Sequence, residues 1–315
     1  MPAPPATGVR ITWSQIPGEV RQGVERILGG RVVDTESQAG GFSPGTADRV
    51  GTEHGRRAFV KAVSPGQNAD SPDLLRQEAD HLVVLGRSPY VPELIGRYDD
   101  GHWIAVIMEE IDGRCPSVPW NAAHVEGAMA MLAALAAELT PSPLPGLQPV
   151  PEGLVSLFAG WRQLQAMPDE RIDPWVAAHL EELALLSETT LSRLRGDTVV
   201  HCDVRADNLL VRADGSMVVV DWPWAMVGPA WLDRLLLMIN IDLYGGHDVE
   251  ELIRRHLGDV EPELIDGTLA GLCAYFTDAG RQDPVPGLPT LRGFQQAQAD
   301  STTAWLRRRL SGRRR

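Results

Sequence analysis

Residues 198–224 read Thr-Val-Val-His-Cys-Asp-Val-Arg-Ala-Asp-Asn-Leu-Leu-Val-Arg-Ala-Asp-Gly-Ser-Met-Val-Val-Val-Asp-Trp-Pro-Trp. Apolar runs at 208–212 and 217–220 flank Asp214-Gly215, a pair that accepts the positive φ of a tight turn, so the pattern predicts a β-hairpin. His201, Asp203 and Asn208 precede its first strand and Asp221 closes its second. Strand pairing then brings Asp221 back beside Asn208. A hard cation such as Mg²⁺ takes few protein oxygens and keeps its other positions for water and phosphates, which makes Asn208 and Asp221 a candidate ligand pair. Asp203 is left as a base. Asp-Gly hairpins with nearby carboxylates are common, but the His-Asp-Asn spacing joined to a second Asp at the hairpin exit is not.

The 315-residue chain is 43% apolar and 23% charged, the composition of a soluble globular protein of one or two domains. Its formal net charge of -13 disfavours a nucleic-acid partner and points, weakly, to a cationic small molecule. The first residues lack the apolar stretch of a signal peptide, and the Ala-rich run 128–137 is too short to span a bilayer, so no membrane and a cytoplasmic location are expected. Cys115, Cys202 and Cys273 are few and scattered, giving neither a disulfide framework nor a zinc spacing. Arg307, Arg308, Arg309, Arg313, Arg314 and Arg315 read as a solvated helix end.

Of 29 basic residues only Lys61 is a lysine. A chain that otherwise uses arginine has kept one compact ammonium, which suggests a place that a planar guanidinium cannot serve. Lys61 lies in Ala58-Phe59-Val60-Lys61-Ala62-Val63, a strand pattern. Ser71-Pro72-Asp73 starts a helix that Gly86 ends, with Ser71 as expected N-cap. On that helix Leu75, Glu78, Ala79 and Leu82 share a face, so Glu78 needs a partner, and Lys61 is the candidate.

The order His-x-Asp-x-x-x-x-Asn, a strand pair, then Asp221-Trp222 resembles the aminoglycoside phosphotransferase family, the small-molecule branch of the protein-kinase-like fold. The resemblance runs from about residue 31 to 240. It implies an α+β bilobal fold, with a small five-stranded antiparallel N-lobe (1–110) and a larger helical C-lobe (111–315). It further implies transfer of a γ-phosphoryl group from ATP or GTP to a small-molecule hydroxyl, with an antibiotic of aminoglycoside or nucleoside type as acceptor and resistance as the role. A metabolic kinase for a choline-like or sugar substrate, or a nucleotide-binding pseudokinase, are the alternatives. The resemblance assigns Asp203 as base, Arg205 to the γ-phosphate, Lys61 braced by Glu78 to the other phosphates, and Asn208 and Asp221 to Mg²⁺. Gly40, Gly41 and Ser43, in a glycine-rich turn one strand before Lys61, match a degenerate nucleotide-covering loop. Backbone groups of Glu109 and Ile111, in the expected hinge, would read the base. Asp207, Trp222 and Trp224 are candidate acceptor contacts, His201 a brace, and Asp233 either an anchor of the catalytic loop or a helix-surface acid.

Helical spacing places helices within 11–29 and at 71–86, 125–139, 154–164, 175–194, 231–241, 249–257, 261–277 and 288–310, with strands near 31–36, 49–52, 58–63, 94–98 and 103–109. Cys202 stands where His-Gly-Asp is frequent in the family.

Overall fold

The computed structural model describes residues 3–38, 40–167 and 172–313; Ala39 of the glycine-rich turn, and Arg314 and Arg315 with the side chain of Arg313, lie outside the described residues. Five strands, β1 (Val32–Ser37), β2 (Thr46–Thr52), β3 (Arg57–Val63), β4 (Leu94–Asp99) and β5 (Ile104–Met108), form an antiparallel sheet ordered β1-β2-β3-β5-β4. Alternation along each strand gives the sheet two faces. One, carrying Val50, Ala58, Val60 and Ile107, is covered by Trp13, Ile16 and the apolar stripe of helix α1 (Gly18–Leu28). The other carries Phe59, Val63, Val106 and Met108, packed toward α2 (Ser71–Leu85) and the helical region, and strand register puts Lys61 on it.

The expected single helix within 11–29 is broken by Pro17, which follows a 3₁₀ turn at Trp13–Gln15 and caps α1; the helix ends at Gly29 with φ 75°. The start of α2 is capped one step earlier than expected. Asp70 is its N-cap, and Asn68 Oδ1 accepts from the N–H groups of Asp70 and Ser71 at 3.0 and 3.1 Å.

After β6 (Gly113–Arg114) the chain is mainly helical: α3 (Ala122–Glu138), α4 (Val150–Gly153), α5 (Val155–Phe158), α6 (Gly160–Ala166) and α7 (Pro174–Leu191). The expected helix at 154–164 is thus split. Gly160 meets the later helix at 262–280 so closely that a Cβ there would lie 2.6 Å from the Ala274 carbonyl oxygen, while Phe158 packs on Gly271. Strand β7 (Thr198–Val200) leads into the hairpin of β8 (Leu209–Arg212) and β9 (Met217–Val219), followed by β10 (Met226–Gly228) and helices α8 (Leu232–Tyr244), α9 (Val249–His256), α10 (Pro262–Gly280) and α11 (Leu291–Arg313). Two additional ladders were not foreseen: β6 pairs with β8, and β7 with β10. Leu209 faces Val219 and Val211 faces Met217 across the hairpin. Its turn is a three-residue loop in which Gly215 donates to Arg212 at 3.0 Å and alone takes a positive φ, 84°. Among the described residues no helix is long and apolar enough to cross a membrane.

Candidate active site

The loop between β7 and β8 is fixed by its own polar groups. His201, fully buried, accepts the Asp203 N–H at Nδ1 (3.1 Å), which leaves Nε2–H to donate to the Val220 carbonyl (3.0 Å). Burial lowers its pKa and keeps the ring neutral, so it braces the loop. Asp233, on the first turn of α8, accepts the N–H groups of His201 and Cys202 at 2.7 and 3.0 Å, which decides between its two readings in favour of an anchor. Cys202 and Asp221 both adopt left-handed backbone, φ 64° and 70°, where a side chain is strained. That geometry is why glycine suits the position of Cys202.

Asp203 is held at both oxygens: Arg205 Nη1 pairs with Oδ1, and Asn208 Nδ2 donates to Oδ2 at 3.1 Å and to the Asp203 carbonyl at 2.8 Å. About a quarter of the side chain, 26%, remains accessible at the bottom of the cleft. Burial raises its pKa to about 7, Arg205 pulling against that and the Asp207 and Asp221 charges adding to it. The remaining donors of Arg205 grip Asp207 in a two-pronged pair, both contacts at 3.0 Å. Asp207 thus rests in an ion pair with Arg205.

Lys61 sits between two carboxylates, 2.8 Å from both Glu78 oxygens and 2.7 Å from Asp221 Oδ1. Burial opposes the charge of Lys61, but Asp221 and Glu78 outweigh it and raise its pKa. Burial likewise opposes ionisation of Asp221, and Lys61 overcomes it to hold that carboxyl below the usual range. The deeper Glu78, 2% exposed, is pushed up by burial against the pull of Lys61. Asn208, just before β8, and Asp221, just after β9, stand at the open end of the hairpin, where the Val220 N–H donates to the Asn208 carbonyl at 3.0 Å. A carboxylate and an amide oxygen are the hard donors Mg²⁺ takes. Two protein oxygens would leave the other positions of such an ion to water and phosphate oxygens.

The glycine-rich turn is roofed by a strap that the sequence did not reveal. The segment at 6–11 runs parallel to it: Gly41 donates to Ala6 at 3.0 Å, Ile11 to Gly45 at 3.1 Å, and Arg10 Nη2 to the Gly40 carbonyl at 2.5 Å. The Gly41 N–H, expected to face phosphate, is therefore spent on the strap. Ser43 borders the cleft, and Phe42 packs edge-on against Phe294 of α11, with Arg205 stacked over both rings. The expected hinge is also occupied. Glu109 N–H donates to Glu93, and Arg49, opposite Phe59 on the face of Lys61, donates to the Ile111 and Gly113 carbonyls at 3.4 and 3.0 Å. A base that reads the Ile111 carbonyl displaces Arg49.

One cleft of about 650 Å³ joins Lys61, Glu78, Asp203, Arg205 and Asp221 with a rim that includes the half-exposed Trp224. Trp222 is corrected: it is fully buried, donating to the Val219 carbonyl at 2.9 Å, and offers an acceptor no surface. Sequence reading missed Arg10, Phe42 and Arg49, whose roles arise only from contacts between distant segments.

A model of the phosphotransferase enzyme family matches residues 39–264. The chain belongs to that family. Solved structures of similar fold include spectinomycin phosphotransferase APH(9)-Ia with ADP and spectinomycin (14% identity, TM-score 0.59, covering 92% of this chain and 98% of that one). A thermostable mutant of aminoglycoside phosphotransferase APH(4)-Ia with ADP and hygromycin B is similar at 18% identity and TM-score 0.59, over 92% of this chain and 98% of that one. So is choline kinase LicA from Streptococcus pneumoniae, at 13% identity and TM-score 0.58, over 91% and 98%. No curated protein sequence matches the chain. The bilobal kinase-like fold and membership in a phosphotransferase family follow.

Proposed function

We propose that this protein transfers the γ-phosphoryl group of ATP, or GTP, to a hydroxyl of a small molecule, with an antibiotic as the acceptor class and resistance as the outcome. One observation carries the reading: Lys61, braced by Glu78 and touching Asp221, shares a single cleft with the half-buried Asp203. Lys61 binds the non-transferred phosphates once nucleotide displaces its contact with Asp221. Asn208 and Asp221 hold Mg²⁺, which supplies charge neutralisation for the phosphate oxygens. Asp203 takes the proton of the acceptor hydroxyl as the new P–O bond forms and the bond to the β-phosphate oxygen breaks, releasing the nucleoside diphosphate. Arg205, freed from Asp203 as that carboxylate engages the acceptor, is placed to meet the transferred group. The three unpaired cysteines support a reducing compartment such as the cytoplasm.

A coupled assay of nucleotide turnover against a panel of hydroxylated antibiotics tests the reading. Acceptor-dependent ADP release that vanishes in Asp221→Asn is expected. Turnover with none of the panel, despite tight Mg²⁺-nucleotide binding, favours the pseudokinase alternative; turnover only with choline-like or sugar acceptors favours a metabolic kinase, which the similarity to a choline kinase keeps within the same chemistry.

A further inference from the structure

A second cavity, of about 120 Å³, opens beside Asp203, which borders it while Lys61 does not. Much of its wall is apolar, built from Leu232, Leu236, Leu272, Phe276 and Phe294 with Phe42 of the glycine-rich turn over it, while Arg205, Asn240, Gln295 and Gln298 supply polar groups beside Asp203. The cavity is continuous with the main cleft, since Leu154, Leu157, Asp203 and Tyr275 border both. A space near this size accepts a benzene-sized group, as an engineered cavity of about 150 Å³ does. An apolar group set against the leucine and phenylalanine part of the wall gains transfer free energy there.

Charge on the walls is sparse. Besides Lys61, Glu78, Asp203, Arg205 and Asp221, the ionisable carboxylates bordering the two spaces are Asp70 and Asp73, at the mouth near the start of α2, and Asp73 is bonded to Arg76 at 2.8 Å. The smaller cavity itself is bordered by one carboxylate, Asp203, already paired with Arg205, so an ammonium group buried there would have no partner of its own.

We infer that the acceptor is a hydroxylated molecule carrying an apolar, ring-sized group beside the reacting hydroxyl, the group filling the cavity next to Asp203, and that it is not a polycation. The inference rests on the phosphotransferase reading above. It accounts for why one carboxylate borders both spaces: the hydroxyl stays at Asp203 in reach of the nucleotide while its apolar neighbour turns away from the phosphates. Phe42 belongs to the nucleotide-covering turn and to this cavity, so acceptor and nucleotide share one wall.

Benzyl alcohol serves as the probe, with saturation-transfer NMR on the whole protein in Mg²⁺-ADP. Its ring protons should receive saturation in the wild type, and Leu157→Trp, which fills the cavity, should weaken binding at least about tenfold. Thermal unfolding with and without ADP checks that this variant is folded. Leu157→Ala, which enlarges the space, should prefer 1-naphthalenemethanol over benzyl alcohol. Absence of probe binding, equal binding by wild type and Leu157→Trp, or tighter binding of an aminoglycoside than of either aromatic alcohol overturns the inference. Transfer from γ-labelled ATP is read separately. Probe binding with no transfer to any alcohol ends the phosphotransferase reading and leaves the pocket standing, whereas transfer to an aminoglycoside without probe binding does the reverse.

Discussion

The catalytic hairpin and the glycine-rich turn border one cleft, yet they are held in opposite ways. The hairpin is secured by partners close in sequence: His201 to Val220 and Asp203, Asn208 to Asp203, with Asp233 gripping two backbone N–H groups from α8. The glycine-rich turn is held by distant ones, the strap near Ala6 and Arg10 on one side and Phe294 on the other. Buried bonds to a charged carboxylate resist opening, whereas a few backbone contacts at the surface give way locally. On the function proposed above, the reacting groups are thus pre-set and the nucleotide-covering turn is the adjustable part. Changes in the hairpin should therefore cost most.

The largest effect is expected from Asp203→Asn, which keeps shape and removes the base. Transfer should fall by roughly 10²–10⁴-fold, with nucleotide affinity little changed. Steady-state kinetics beside a nucleotide titration measures both, and a loss below tenfold places the base elsewhere. Asp233→Ala comes next. It strips the acceptor from two buried N–H groups, each worth about 1–3 kcal/mol when left unsatisfied, so denaturant unfolding should show a loss on that scale. Turnover should drop with it, because the loop that carries Asp203 is no longer anchored. Retained stability would mean that water or another group replaces the carboxylate.

The pH profile sharpens the contrast further. Because burial lifts the Asp203 pKa to about 7, kcat/KM of the free enzyme should rise about tenfold per pH unit below that value and level off above it. Stability should move the other way. The folded state binds this proton more tightly than the unfolded chain, whose Asp titrates near 4, so the stabilisation from protonated Asp203 is complete below about pH 4 and lost as pH rises through 7. A flat kcat/KM between pH 5 and 8 contradicts the assignment of Asp203 as base.

How much of this was legible in the sequence follows the same division. His201, Asp203, Asn208 and Asp221 sit within one hairpin, so spacing alone brought them together, and Glu78 was legible as a charge on an apolar helix face one element after Lys61. The five strands were expected near 31–36, 49–52, 58–63, 94–98 and 103–109, and each is present there. The strap over the glycine-rich turn was not legible, because its bonds, that of the Arg10 guanidinium included, end on backbone carbonyls far along the chain and pair no two side chains. Trp222 was misplaced because a strained Asp221, φ 70°, turns the chain at that point and sends the next ring inward against His201. The pairing of Asp207 with Arg205, two residues earlier, was not legible from spacing alone. The split of the helix near Gly160 depended on the approach of α10, more than a hundred residues away.

The smallest effect, and the one that probes the adjustable side, is expected from Arg49→Ala. Its guanidinium donates to the Ile111 and Gly113 carbonyls and lies 3.6 Å from Glu110, while its strand neighbour Phe59 fills the same face of the sheet. Nucleotide that uses the Ile111 carbonyl competes with the Arg49 hydrogen bond to it, worth about 0.5–1.5 kcal/mol net. Removing the arginine removes that cost, so the KM for nucleotide should fall by roughly three- to tenfold with kcat unchanged, since the group is remote from the transferred phosphoryl. Comparing ATP with GTP in wild type and variant separates two roles. An equal fall for both bases identifies Arg49 as an occupant that any base displaces. A rise in KM confined to one base identifies it as a contact that swings onto that base, and then the hinge side of the cleft is as pre-set as the hairpin opposite.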